Sequence, residues 1–149
     1  MKTQSKFLVN IFVLFAVLVS LLGSVTPAYA ATTTTRISVD SSGAQGNNLS
    51  RDPSTSADGR YVAFFSYASN LVSGDTNGMP DIFVRDTLTN VTTRVSVNSN
   101  GTQGNNAAGL HPSISGDGRF VVFESLRSPQ GLGLFELASI YDVAAGVKL

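Results

Sequence analysis

The chain has 149 residues, ten basic and ten acidic side chains, 42% hydrophobic residues and no cysteine. Without cysteine there is no disulfide framework, thiolate metal site or cysteine nucleophile. A neutral, hydrophobic composition with 13% charged residues also excludes a disordered tail.

The chain opens with Lys2 and Lys6, followed by an almost unbroken apolar run over residues 7–22 and then Gly23, Pro27 and Ala28-Tyr29-Ala30. This is the charged, apolar and small-residue succession of an export signal, so residues 1–30 are expected to be a signal helix cut after Ala30. The competing reading is an uncleaved membrane anchor, because the run approaches the roughly 18 apolar residues that span a bilayer. Beyond Ala30 the acidic residues outnumber the basic ones, ten to eight, and Lys148 is the sole lysine among scattered arginines. Phosphate binding needs clustered Lys and Arg, so a nucleic-acid partner is not expected.

An internal repeat follows. Thr35-Arg36-Ile37-Ser38-Val39 returns as Thr93-Arg94-Val95-Ser96-Val97, and Gln45-Gly46-Asn47-Asn48 returns as Gln103-Gly104-Asn105-Asn106, 58 residues later. After one inserted residue, Pro53-Ser54-Thr55-Ser56-Ala57-Asp58-Gly59-Arg60-Tyr61-Val62-Ala63-Phe64 returns as Pro112-Ser113-Ile114-Ser115-Gly116-Asp117-Gly118-Arg119-Phe120-Val121-Val122-Phe123. Asp58-Gly59 and Asp117-Gly118 mark hairpin turns, because Gly tolerates positive φ and Asp supports the turn before it. The runs at 61–65 and 120–123 are apolar on both faces and predict strands covered on both sides. Asp81-Ile82-Phe83-Val84-Arg85-Asp86 predicts a third strand, Thr89-Asn90 a turn, and residues 92–97 a more exposed outer strand. Four strands with dry inner members make one blade of a propeller.

The motif Pro-Ser-x-Ser-x-Asp-Gly-Arg-aromatic-Val-x-Phe, followed by Asp81-Ile82-Phe83-Val84-Arg85-Asp86, resembles the WD40-like repeats of TolB-type bacterial β-propellers, over about residues 35–125. The resemblance implies an all-β fold, a partial β-propeller of four-stranded antiparallel blades, in an exported bacterial protein, secreted, periplasmic or on the cell surface. It also implies a non-catalytic binding or scaffolding module; the alternative is the propeller remnant of an extracellular hydrolase whose catalytic domain is missing. The first repeat spans about 35–92 and the second 93–149, diverging after Ser125 and echoing the first again at Ile140-Tyr141-Asp142 and Ala145-Gly146. One outer strand at 36–39, one whole blade and most of a second are expected. Propellers close with about four to eight blades, so the 119 residues after Ala30 are expected to be part of a longer frame or to complete themselves by self-association.

Candidate chemistry is sparse. The loop Asp75-Thr76-Asn77-Gly78-Met79-Pro80-Asp81 places Asp75, Asn77 and Asp81 as a partial calcium shell, short of the roughly six to eight oxygens that calcium takes. The alternative is a polar turn in which Asn77-Gly78 reverses the chain. Asp58 and Asp117 are expected as turn formers, and Arg60 and Arg119 as partners of those aspartates or of a neighbouring blade. His111, the sole histidine, is expected in an exposed loop, extended because Pro112 follows it. No serine-hydrolase elbow, phosphate-binding loop or dinucleotide fingerprint is present, so no enzyme activity is expected. The Gly-, Asn- and Ser-rich loops at 41–48 and 99–106 are the expected contact surface for a protein or surface glycan. A membrane is expected as partner only through an uncleaved signal.

Overall fold

The computed structural model describes residues 33–104, 110–127 and 135–149. The expected signal at 1–30 and the divergent stretch at 128–134 lie outside the described residues. The chain divides into Met1–Thr34 and Thr35–Leu149, and the fold is that of the second unit.

Two four-stranded antiparallel sheets make up this unit. Blade 1 contains β1 (Ser50–Thr55), β2 (Tyr61–Ser66), β3 (Asp81–Asp86) and β4 (Val91–Arg94), side by side in chain order. Blade 2 repeats the order with β5 (Ser113–Ile114), β6 (Phe120–Arg127), β7 (Phe135–Asp142) and β8 (Val147–Lys148). Each Asp-Gly turn closes the first hairpin of its blade. Gly59 and Gly118 take φ of 71° and 74°, which a side chain would resist. Their N–H groups donate to Ser56 O and Ser115 O at 3.0 and 2.8 Å.

The two sheets stack face to face. On β2 and β3, Ala63, Phe65, Ile82 and Val84 form one face; with Val95 just past β4 they pack against Ile114, Val121, Phe123 and Tyr141 of blade 2 in one apolar cluster. The other face of blade 1, Phe64 and Phe83, is sealed by Ala68 and Leu71 with Ile37 and Val72 packed against it. Residues 61–65 are therefore covered on both sides, as two apolar faces require. At the β1 and β5 edge the blades touch: Ile114 N donates to Ser54 Oγ at 3.2 Å and Ala57 N to Gly116 O at 2.9 Å. Toward the outer strands they diverge, as wedges do. The gap is a cleft of about 300 Å³.

The structure corrects the sequence expectation in three places. Residues 120–123 are covered on one face only: Val121 and Phe123 are 0% and 3% exposed, but Val122 is 42% exposed. No blade stands beyond blade 2 among the described residues, so its far face keeps contact with water. Residues 36–39 form no strand; Val39 makes a single bridge to Gln45, and Val39 O is taken by the side chain of Thr92 rather than by a backbone ladder. The same arrangement recurs in the second copy, where Val97 bridges Gln103 and the ladder of the outer strand stops at Arg94 rather than Val97.

Candidate functional site

The repeated charged residues meet inside each blade. Asp58 Oδ1 accepts from Ser56 Oγ at 2.6 Å and from Arg60 N at 3.0 Å, and Asp117 makes the matching pair of bonds with Ser115 and Arg119. These bonds hold both turn carboxyls below the usual carboxylate range, with the serine hydroxyl the main cause. The arginines do not pair with the turn aspartates or reach a neighbouring blade. Arg60 forks onto Asp86 at the end of β3, at 3.1 and 2.8 Å, and Arg119 onto Asp142 at the end of β7, at 3.1 and 3.0 Å. Each guanidinium also lies over the next aromatic ring, Tyr61 at 4.7 Å and Phe120 at 4.8 Å. The motif Asp-Gly-Arg-aromatic thus ties the first hairpin to the third strand. Asp86 is held far below its ordinary value, first by Arg60.

Of the three residues read as a partial calcium shell, the structure brings two together. Asp75 and Asp81 lie 3.4 and 3.5 Å from Nη1 of Arg94, which occupies the space between their carboxylates. Asn77 is engaged elsewhere: its Nδ2 donates to Gly104 O at 2.8 Å and its Oδ1 accepts from Met79 N at 3.0 Å. Ser96 Oγ donates to Asp81, and Gln103 Oε1 accepts from Arg94 at 2.8 Å while Gln103 Nε2 donates to Thr76 Oγ1 at 2.7 Å. Burial pushes the carboxyls of both Asp75 and Asp81 up. Among the described residues no three His, Cys, Asp or Glu side chains are grouped to hold a metal. The recurrence of Arg-x-Ser and Gln in both copies was the signal for Arg94, Ser96 and Gln103, although Arg36 of the first copy is exposed.

Asp52 and His111 occupy the same place in the two copies, each just before a proline at the start of the inner hairpin, and sequence reasoning gave Asp52 no role. Both have left-handed backbone, φ 54° and 63°, contrary to the extended conformation expected before proline. At Asp52 the departure falls in a bulge, where the β1–β2 register shifts between Arg51 and Ser54, and Pro53 has no N–H to give the ladder. His111 Nδ1 and Arg51 Nε stand 3.9 and 3.6 Å from Asp52 Oδ2, an atom that is buried and accepts no hydrogen bond. His111 itself is exposed, as expected.

The loop at 41–48 is folded back on blade 1. The Asn70 side chain fastens it, with Oδ1 accepting from Asn47 N at 2.9 Å and Nδ2 donating to Gln45 O at 2.9 Å. Among the described residues a concavity lies instead in the cleft between the blades, whose walls include Tyr61, Val84, Thr93, Val95, Tyr141 and Val143. Burial pushes the Tyr141 phenol up, so the cleft presents a neutral hydroxyl and apolar walls with Asp86 beside them.

No family model and no curated protein matches the chain. Among solved structures, TolB from Acinetobacter baumannii is similar to it at 17% identity and a TM-score of 0.25, over 69% of this chain and 31% of that one. The chain therefore spans about a third of that protein's length. The propeller-like fold is carried by the two sheets themselves, by their common strand order and by the apolar seam between them.

Proposed function

We propose that the chain is an exported, non-catalytic propeller-repeat module that holds a segment of a partner protein in the cleft between its blades. One observation supports this reading above others: Arg60, Arg94 and Arg119 are occupied by bonds within their own blades, while the seam opens into a cleft walled by Tyr61, Tyr141, Val84 and Val95. Concave, mostly apolar walls with a few polar groups are what ligand-binding clefts share. Export is supported by the leader pattern at residues 1–30. Calcium entering beside Asp75 and Asp81 would have to displace Arg94, so binding is proposed to proceed without it.

The test is a photo-crosslinking residue in place of Val91, which lines the cleft and is half exposed, in cells that make the full chain. A discrete adduct with another protein is expected. Absence of any adduct, an adduct removed by glycosidases, or crosslinking only to a second copy of the chain would each overturn the reading.

A further inference from the structure

The chain contains a single Asp-Pro pair, Asp52-Pro53, and the fold holds it in an unfavourable backbone. Asp52 takes φ of 54°, a left-handed conformation that crowds its Cβ, at a position where the ring of Pro53 already restricts the residue before it. His111, before Pro112 in the second copy, takes φ of 63°. The scaffold therefore imposes this conformation at both hairpin entrances, and only the first copy meets it with a carboxyl. Backbone held in such a region stores strain that a break in the chain would release.

That carboxyl is placed as a nucleophile. Asp52 Oδ2 is buried and accepts no hydrogen bond among the described residues. Two groups face it, Arg51 Nε at 3.6 Å and His111 Nδ1 at 3.9 Å, both beyond hydrogen-bond distance. The Arg51 guanidinium favours the anion, and neither group ties up its electron pairs. Attack on the carbonyl carbon of Asp52 itself closes a five-membered ring, so no other residue has to approach. Pro53 is exposed, which gives water access to the leaving nitrogen.

We propose that the Asp52-Pro53 bond is a self-cleavage site opened by the side chain of Asp52. An electron pair of Oδ2 forms a bond to the main-chain carbonyl carbon of the same residue, giving a cyclic anhydride. The bond from that carbon to Pro53 N breaks, and its electron pair stays on the nitrogen, which takes a proton from solvent and leaves as a secondary amine. Water then opens the anhydride to the two free carboxyls of Asp52. The cut falls inside the β1 bulge, so no ladder pair is lost: Arg51 stays opposite Phe65 and Ser54 opposite Ala63. The earlier piece also keeps Asp40 O on Arg85 and Val39 O on Thr92. The product is a nicked blade whose two pieces remain together, and the inference is independent of what the cleft holds.

The test is intact-mass spectrometry of the purified full chain, followed over days in mildly acidic buffer that supplies the proton. Two fragments are expected, one ending at Asp52 and one beginning at Pro53, which co-elute until the protein is unfolded. Their first-order rate is expected to be unchanged when the protein is diluted about tenfold. It is expected to exceed by more than about tenfold the rate of the same chain in urea, where the left-handed φ is released. Asp52→Glu keeps the charge but would have to close a six-membered ring, and is expected to cut more than about tenfold more slowly; if that variant does not fold, the urea comparison decides. No cut between Asp52 and Pro53, a rate that falls on dilution, or an equal rate in urea or in folded Asp52→Glu each overturns the proposal.

Discussion

Gly59 and Gly118 hold the same turn position with nearly the same φ, yet an added methyl meets different surroundings. At Gly59 a Cβ finds nothing within 4 Å; at Gly118 it would lie 2.3 Å from Cδ2 of Tyr61, on the other blade. Alanine at positive φ costs about 1–2 kcal/mol at either site. The loss of unfolded-chain entropy is common to both and cancels in the comparison. At Gly118 the contact involves Cγ, Cδ2 and Cε2, the ring itself rather than a flexible tip, and Arg60 lies over that ring. Overpacking of this kind adds about 1–3 kcal/mol. Gly118→Ala should therefore lose about 2–5 kcal/mol and Gly59→Ala about 1–2, measured by urea unfolding followed by circular dichroism. Removing the ring with Tyr61→Ala in the Gly118→Ala background should recover the excess as a coupling energy. Equal losses for the two glycine variants, within about 0.5 kcal/mol, would mean that blade 2 is not seated on Tyr61 and would refute the stacking.

Arg85 is buried and donates to Asp40 O, Asn90 O, Asn90 Oδ1 and Thr92 Oγ1 at 2.8–3.1 Å, so Arg85→Met should cost about 3 kcal/mol in the same assay, with the freed carbonyls unsatisfied. Asp86 has its carboxyl depressed by Arg60, so its contribution is full above the ordinary carboxylate pKa and is lost only as pH falls through the native one; Asp86→Asn should remove that part of the acid dependence of unfolding. Asp81 runs the other way: burial raises its carboxyl, the folded chain holds that proton more tightly, and between pH 7 and about 4 the native protein should gain on Asp81→Asn, as paired denaturation curves would show. Calcium added after EDTA should leave the melting temperature unchanged, because Arg94 already lies between Asp75 and Asp81; a rise of several degrees would place the ion there instead.

What the sequence disclosed and what it withheld have separate physical causes. Strands β2 and β3 were legible because Tyr61-Val62-Ala63-Phe64-Phe65 and Asp81-Ile82-Phe83-Val84-Arg85-Asp86 carry their pattern locally, and the turns because Asp-Gly has few alternatives. The cover over Val122 was not legible, since its sequence matches that of a fully buried strand and only the number of neighbouring blades decides its exposure. Arg36 and Arg94 occupy the same place in the repeat, yet Arg94 meets two aspartates while Arg36 is exposed. A repeat discloses what a position is built to meet, and three dimensions decide whether the counterpart is there. The destinations of Arg60 and Arg119 were missed for a related reason: their aspartates lie 26 and 23 residues away, and register alone joins them. In the loop at 75–81, spacing could not separate a shell for calcium from a shell for a guanidinium, because both want the same carboxylates.

The stacking of the two repeats is tested most directly by methyl and aromatic NOEs in the full chain. Contacts are expected from the Val121 methyls and the Phe123 ring to blade 1 side chains such as Ala63 and Val84, with none to those residues from Val122 in the next position. NOEs to blade 1 from Val122, or none from either valine, would show that the sheets do not meet through these faces.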